Sequence, residues 1–269
     1  MQNEISHERI DPRHDMAPRL RVLVITEDDP LYVIEFFRVF FAEFPQRDAE
    51  LIGMTVDKAF HEALQDTVRR MLRLYGWTGV ARLGLRYASA KLRGDTIEAM
   101  ARRRGLPIIE TLSVNDPNYI ARIRGLRPDI IMSVAGPEIF SAELLASARL
   151  GCINIHSGQL PTYRGMLPTF WQLLNGEPAA MITVHRMVER LDAGEVLATA
   201  PFALRKQDSL DRVMRGTKQE GARLFVRVLR DLRNGIATGR KLDMGQAGYF
   251  RFPTPEDARA FRRLGHSLL

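Results

Sequence analysis

Short apolar runs alternate with longer stretches of helical periodicity along most of the chain. The runs are β-branched, bounded by polar residues, and predict buried strands over 20–25, 51–56, 107–112, 129–134, 151–156 and 181–186. Between them, apolar residues recur with a period near 3.6 and predict helices over 36–44, 59–74, 77–93, 96–104, 117–125, 144–148 and 169–174. Strands that alternate with helices form a mostly parallel sheet covered on both faces, so the pattern predicts a doubly wound α/β fold.

The last quarter of the chain follows a different pattern. A long amphipathic helix is predicted over 209–234 and ends at Gly235, since a glycine commonly terminates a helix. The remainder is richer in glycine, proline and charge, with a docking strand predicted over 249–253 and a short helix over 255–264. We therefore expect a polar leader over 1–19, one domain over 20–235 and a short tail over 236–269.

Composition narrows the class of protein. With 269 residues, 45% of them apolar, the chain can bury a sizeable core without a partner. The single cysteine, Cys152, excludes an intramolecular disulfide and any multi-cysteine metal site, and fits a reducing, cytoplasmic setting. The first residues lack the apolar block of a signal peptide, and no apolar run approaches the roughly 18 residues of a membrane span.

Basic charge is concentrated in one segment. The net charge is +7, and residues 69–104 contain ten arginines or lysines but only two acids, Asp95 and Glu98. On a helix, Arg82, Arg86 and Arg93 fall within about 40° of one another, which predicts a basic amphipathic helix inserted into the domain. Such a face can contact an anionic membrane surface or nucleic acid, or be a solvated face whose apolar side packs on the domain or on a dimer mate.

Candidate chemistry lies between 151 and 197. Asn154 and His156 are two residues apart on one strand and so share a face at its carboxyl end, where open α/β sheets bind ligands. A later turn, Glu189–Gly194, can return a carboxylate, Asp192, to the same edge. An amide, an imidazole and a carboxylate suit acyl transfer to an amine. A hydrogen-bonded structural histidine and a simple turn explain the same spacing.

The stretch Asn154-Ile-His156-Ser-Gly-Gln-Leu-Pro161-Thr-Tyr-Arg164-Gly165, followed at a distance by Leu191-Asp192-Ala-Gly194, resembles the active-site region of the folate-dependent formyltransferases. That family includes glycinamide ribonucleotide, methionyl-tRNA and amino-sugar formyltransferases. The resemblance implies a Rossmann-like catalytic domain that passes a formyl group from 10-formyltetrahydrofolate to a primary amine, without a metal. It also implies that Asn154 stabilises the oxyanion, that His156 manages the amine proton, and that Asp192 orients His156 or a proton-carrying water.

The same resemblance implies the surrounding contacts. The pterin would lie against two loops, and the residues expected to contact it are Gly136, Pro137, Glu138, Ile139, Phe140, Glu189, Leu191 and Gly194. The acceptor side would be lined by the loop after the Asn154 strand, with the residues Ser157, Gly158, Gln159, Leu160, Pro161, Arg164 and Gly165. His185 is not part of the family's pattern and is interpreted as structural.

Two features bear on the acceptor amine. The loop after the first strand carries Glu27, Asp28 and Asp29, which would repel a phosphate; they can receive an ammonium or sugar hydroxyls, or cap the following helix. Only 35 residues follow Asn234, too few for the tRNA-binding barrel of methionyl-tRNA formyltransferases. The chain is thus predicted to formylate an amino sugar or another small amine. The alternatives are a methionyl-tRNA formyltransferase-like enzyme, a formyltetrahydrofolate hydrolase, and a non-catalytic basic protein that binds membrane or RNA.

Overall fold

A computed structural model describes residues 18–57, 64–136 and 138–269, and the predicted leader lies almost wholly outside them. Its centre is a six-stranded sheet, and the strands are β1 (Leu20–Glu27), β2 (Ala49–Asp57), β3 (Ile130–Val134), β4 (Cys152–His156), β6 (Ala179–Arg186) and β7 (Val196–Ala203). Across the sheet they lie in the order β2-β1-β3-β4-β6-β7. The first four strands pair in parallel, and β6 is antiparallel to both of its neighbours, β4 and β7, which confirms the predicted mostly parallel α/β sheet.

Helices cover both faces of this sheet. They are α1 (Val33–Glu43), α2 (Leu64–Leu92), α3 (Ile97–Arg102), α4 (Pro117–Gly125), α5 (Ala142–Leu145), α6 (Pro168–Leu174), α7 (Leu210–Arg233) and α8 (Pro255–Arg263). Several begin at side chains that accept a hydrogen bond from the first turn, as Asp116 does for α4 and Ser209 for α7. Because capping side chains mark helix starts in a sequence, the starts predicted for these two helices agree with the structure to within one residue.

The core divides between the two faces. On one face, α1 and α7 bring together fully buried rings, among them Phe36, Phe40 and Phe225. On the other, α4 and α5 contribute residues such as Ile123 and Leu144 to a second cluster. The sheet is therefore buried on both sides, as a doubly wound fold requires.

Two strand predictions need correction. The segment 107–112 makes only an isolated bridge, from Ile108 to Met54, because Pro107 has no N–H to donate and Leu112 is 94% exposed. Conversely, β7 was not predicted, since its alanines and Pro201 have low strand propensity. It is an edge strand, and edge strands tolerate proline.

The basic segment folds as α2 and α3. Gly76 has φ 70° and ψ 177°, so α2 is two helical pieces joined at a kink. This agrees with the two separate helices predicted over 59–74 and 77–93. Positions 59–63 of the first of these predicted helices lie outside the described residues. Arg82 and Arg93 are exposed, whereas Arg86 turns inward and pairs with Asp211 at 2.7 Å. The expectation that these three arginines share one free face is wrong for Arg86. No described helix is long and apolar enough to cross a membrane.

The tail packs onto the domain. A two-residue strand, β8 (Tyr249–Phe250), pairs in parallel with β5 (Arg164–Gly165), which confirms the predicted docking strand in shortened form. Beyond it, the ring of Phe261 on α8 stacks on Phe170 of α6 with centroids 4.7 Å apart. This places part of the tail directly against the loop that follows β4.

Candidate functional site

Three predicted catalytic residues line one cavity of about 410 Å³. Asn154 and His156 lie on β4, and the Oδ1 atom of Asp192 is 3.8 Å from Nδ1 of His156. The other ring nitrogen of His156, Nε2, donates a hydrogen bond of 2.6 Å to the carbonyl of Tyr163. Because Nε2 holds its proton on that carbonyl, Nδ1 presents a lone pair beside Asp192.

The loop that carries Asp192 does not begin at the sheet edge where β4 ends, as the sequence suggested it would. Strand β6 is antiparallel to β4, so its last residue, Arg186, lies beside Ile153 at the start of β4, and Thr183 pairs with His156 at the other end. The loop 187–195 must therefore fold back over the sheet, and a backbone bond of 2.9 Å from Arg186 to Glu195 closes it. This return, rather than a shared strand end, brings Asp192 to His156.

Neighbouring residues hold Asp192 in place. Its backbone is left-handed, with φ 50°, a conformation that is strained for a residue with a side chain. The backbone N–H of Gly165 donates to Oδ2 of Asp192 at 3.1 Å, and the buried guanidinium of Arg164 donates two hydrogen bonds to the carbonyl of Leu191. Arg164 was predicted to bind substrate, but in the structure it secures the Asp192 loop and does not line the cavity.

His185, which the sequence led us to interpret as a structural residue, lies at the cavity. It is paired with Asn154 across the β4–β6 ladder, lines the cavity, and lies 3.7 Å from Asp192. Its Nδ1 donates to the carbonyl of Arg186, so Nε2 accepts a hydrogen bond of 3.2 Å from the amide of Asn154. Burial, with a smaller contribution from His156, lowers the pKa of His185 to about 4, against the opposing charge of Asp192. His185 is thus a neutral acceptor that orients Asn154.

The predicted pterin loop lines the cavity with Gly136, Glu138, Ile139 and Phe140, whereas Pro137 lies outside the described residues. Two residues that sequence reasoning missed fix this loop. Asn115 donates to Glu138 and to the carbonyl of Ile139, and Ser113 donates to Glu138.

The second predicted pterin segment is only partly at the cavity. Leu191 lines it, together with Val188, and both side chains are exposed like that of Ile139, which gives the cavity an apolar wall. Glu189 is exposed and does not line the cavity. Gly194 is also outside the lining, packed so closely on the carbonyl of Arg186 that a Cβ would lie 1.9 Å from it.

The predicted acceptor loop divides in the same way. Ser157 and Gly165 line the cavity, whereas Gly158, Gln159, Leu160 and Pro161 do not. A Cβ on Gly158 would lie 3.0 Å from both Nε2 of His156 and the carbonyl of Tyr163. This glycine therefore makes room for the hydrogen bond that fixes the His156 ring.

Three charged residues, Glu27, Asp29 and Lys218, also line the cavity, and we call them the charged wall. Of the three acids after β1, Asp28 accepts from Lys91 and from the backbone of Ile97, so it is used structurally. Asp29 lines the cavity and also accepts from three backbone N–H groups, those of Leu31, Tyr32 and Val33, so it closes the turn that leads into α1, whose N-cap residue is Tyr32. Glu27 lines the cavity, and its carboxylate makes no hydrogen bond within the part of the chain that the structure describes.

Lys218 of α7 lines the cavity together with these two carboxyls and was not foreseen from the sequence. Burial and the charge of Asp29 raise the pKa of Glu27 to about 7, although Lys218 opposes the shift. Burial also raises the pKa of Asp29 and lowers that of Lys218. The three groups are poorly solvated and suited to binding a polar ligand.

A family model described as formyl transferase matches residues 85–229, just over half of the chain, including Asn154, His156 and Asp192. The chain belongs to the formyl transferase family. It is a formyltransferase, which confirms the resemblance and the predicted class of enzyme.

Solved structures share the fold of this formyltransferase. A sugar N-formyltransferase from a Shewanella species is 20% identical with a TM-score of 0.54, covering 91% of this chain and 87% of its own. A glycinamide ribonucleotide transformylase from Symbiobacterium toebii is 16% identical with a TM-score of 0.58, covering 84% and 95%. An N-formyltransferase from Helicobacter canadensis is 14% identical with a TM-score of 0.53, covering 91% and 80%. These similarities establish the fold.

No three histidine, cysteine or acidic side chains of the described part of this formyltransferase gather where they could hold a metal ion. The cavity instead combines hydrogen-bonding groups on β4 with an apolar wall and a charged wall. The residues of the apolar wall can contact a ring system, and those of the charged wall can bind a polar ligand.

Proposed function

We propose that the protein is a 10-formyltetrahydrofolate-dependent N-formyltransferase that acts on an amino sugar or another small amine. The observation that carries the proposal is the convergence of Asn154, His156 and Asp192 on a cavity with one apolar and one charged wall. The Helicobacter canadensis structure is described as a complex with folinic acid and dTDP-3-aminofucose, which supports both a folate donor and an aminosugar acceptor.

Asn154 supplies the oxyanion donor. Its amide nitrogen carries two hydrogens, and the contact with Nε2 of His185 uses one of them. The second is available to the formyl oxygen, which becomes negative as the amine nitrogen bonds to the formyl carbon. Such a pre-oriented donor contributes about 10²–10³-fold to the rate.

His156 takes the proton that the amine loses. The lone pair on its Nδ1 accepts this proton. The Oδ1 atom of Asp192, 3.8 Å from Nδ1, stabilises the imidazolium that results. The gap exceeds hydrogen-bond length, so one water or the substrate amine can bridge the two groups. When the bond from the formyl carbon to the donor nitrogen breaks, His156 returns the proton to that leaving nitrogen.

The charged wall supports a small polar acceptor. Glu27 and Asp29 can accept from an ammonium or from hydroxyls, and Lys218 can donate to ring or hydroxyl oxygens. A phosphate placed beside the two carboxyls would be repelled, which disfavours a ribonucleotide acceptor whose phosphate occupies this position.

A screen of amines tests the reaction. The enzyme is incubated with 10-formyltetrahydrofolate and amino sugars, nucleotide-linked amino sugars or methionyl-tRNA, and mass spectrometry detects the gain of one formyl group. We expect formylation of an amino sugar or small amine, reduced at least about 10²-fold by Asn154→Ala or His156→Ala. His266→Ala, outside the cavity, serves as the matched control.

Other outcomes identify the alternatives. Formylation of methionyl-tRNA alone would establish the tRNA-type enzyme, and folate turnover at an unchanged rate without any amine would establish a hydrolase. Absence of both folate binding and transfer would refute the proposal in favour of a non-catalytic binding protein.

Substitutions on the charged wall test the acceptor assignment. Lys218→Met and Glu27→Gln are expected to raise KM for the amine by about tenfold while leaving KM for the folate unchanged, because the first removes a hydrogen-bond donor to the acceptor and the second removes the charge of the accepting carboxylate. Arg227→Gln, on an exposed part of α7, is the control. A rise in KM for the folate instead would show that the two walls hold the opposite ligands.

A further inference from the structure

The second piece of α2, residues 77–92, has apolar side chains on the side that faces solvent as well as on the side that packs against the protein. Leu83 and Ala90 point into the protein and are buried. On the opposite side Trp77, Leu85 and Leu92 are 80%, 74% and 89% exposed. Exposed single leucines are common, but three large apolar side chains on one helix face form a patch that calls for a partner.

These exposed residues form one continuous strip. At about 100° per residue, the positions Trp77, Ala81, Leu85, Ala88 and Leu92 fall within about 80° of one another, and we call them the outer face. At about 1.5 Å per residue the outer face is about 22 Å long. All five residues are exposed.

Exposed cations border the outer face along one edge. They are Arg82 and Arg93, whereas Lys91 on the other edge is paired with Asp28. No aspartate or glutamate occurs anywhere from Trp77 to Arg93. Arg86 takes no part, because it is paired with Asp211 inside the protein.

We propose that the outer face docks on an anionic lipid surface. A helix that lies in the interface buries its apolar strip at the boundary of headgroups and acyl chains, and arginines or lysines at its flanks then meet the lipid phosphates. The outer face has this arrangement, with a tryptophan at one end, where its amphipathic ring suits the interface.

The same charges argue against two other partners. A second copy related by two-fold symmetry would place the cations of one outer face against those of the other, with no carboxylate on either helix to offset them. A nucleic acid would meet the cations but leave the apolar strip facing its hydrated phosphates.

Binding of the full chain to vesicles tests the proposal. Vesicles of phosphatidylcholine alone are compared with vesicles that also contain phosphatidylglycerol, and bound protein is measured by sedimentation. Fluorescence adds a second readout, because the other tryptophan, Trp171, is buried with its indole N–H on the carbonyl of Arg251. We expect binding to the anionic vesicles, with a blue shift from Trp77.

Variants separate the two parts of the interaction. Arg82→Gln and Arg93→Gln should each weaken binding to anionic vesicles about fivefold. Leu85→Ser and Leu92→Ser should each weaken it about tenfold or more. The matched controls, Leu112→Ser and Arg227→Gln, change an exposed leucine and an exposed arginine elsewhere and should have no effect.

Three results would overturn the proposal. Equal binding to neutral and anionic vesicles, or none to either, excludes an anionic lipid surface. A gel shift with RNA that Arg82→Gln weakens and Leu85→Ser does not would assign the face to nucleic acid. A dimer in sedimentation equilibrium that Leu85→Ser dissociates would assign it to a second copy. Because the changed side chains are exposed, unaltered thermal unfolding is the check that each variant folds.

Discussion

Protonation of His185 should make a measurable contribution to the pH dependence of the free energy of unfolding. The imidazole is 2% exposed and has Asn154, His156 and Asp192 as neighbours, with its Nδ1–H on the carbonyl of Arg186. Its pKa is lowered from 6.5 to about 4. The folded protein therefore keeps His185 neutral at pH values where the unfolded chain already binds the proton.

The size of the effect follows from that difference in pKa. Each unit of pKa corresponds to about 1.4 kcal/mol, so the difference amounts to about 3 kcal/mol. The His185 contribution to the free energy of unfolding is complete above pH 6.5, where neither state is protonated at this residue. It is lost as the pH drops from 6.5 toward 4, because the unfolded state binds the His185 proton first. The raised pKa of Glu27 acts in the opposite direction over much of this range, so the His185 contribution is measured as the difference between variants.

Urea unfolding at a series of pH values measures this contribution. We expect the wild-type protein to lose about 3 kcal/mol between pH 7 and pH 4 through this residue, and His185→Gln to lack that part of the slope. His266→Gln, which changes a histidine outside the cavity, is the matched control for the substitution. If His185→Gln showed the same slope as the wild type, the assignment of a neutral His185 would be wrong.

Four other substitutions probe packing at the site and in the core. Arg164→Met should lower kcat/KM by about 10–100-fold, because it removes both hydrogen bonds to the carbonyl of Leu191 and releases the Asp192 loop; steady-state kinetics measure this, and an unchanged kcat/KM would contradict it. Gly158→Ala should reduce activity by displacing the His156 ring, whereas Gly84→Ala, with nothing within 4 Å of its new Cβ, should leave activity intact and raise stability by about 0.5–1 kcal/mol in thermal unfolding. Phe36→Ala should cost about 3–5 kcal/mol in urea unfolding, since its ring is fully buried between Phe40 and Phe225; a cost below 1 kcal/mol would show that the cluster repacks.

The alternation of apolar runs was enough to predict the fold class and most helices, because burial on both faces leaves a strong periodic signal. The direction of β6 left no such signal. Whether a strand runs parallel or antiparallel depends on how the intervening chain, here with α6, crosses the sheet, and local periodicity does not record it. The predicted domain boundaries stay predictions.

The same limit explains the outcome at the site. Asn154, His156 and Asp192 were identified from motif residues alone, and the structure brings them together. The place of His185 at the cavity was not predicted because its position beside Asn154 follows only from the antiparallel register. Lys218 was missed because its place on the cavity depends on how α7 packs across the sheet, far from the motif in sequence.

The short β5–β8 pair has a consequence for the order of assembly during synthesis. Gly165, whose N–H holds Asp192, lies against the carbonyl of Phe250, and Phe250 also accepts from the backbone of Met166. A ribosome-bound chain that has extruded only the residues through α7 contains all six strands of the central sheet, but it lacks the segment that supports Gly165. The Asp192 carboxylate therefore gains its full support only after every strand of the central sheet has been synthesised.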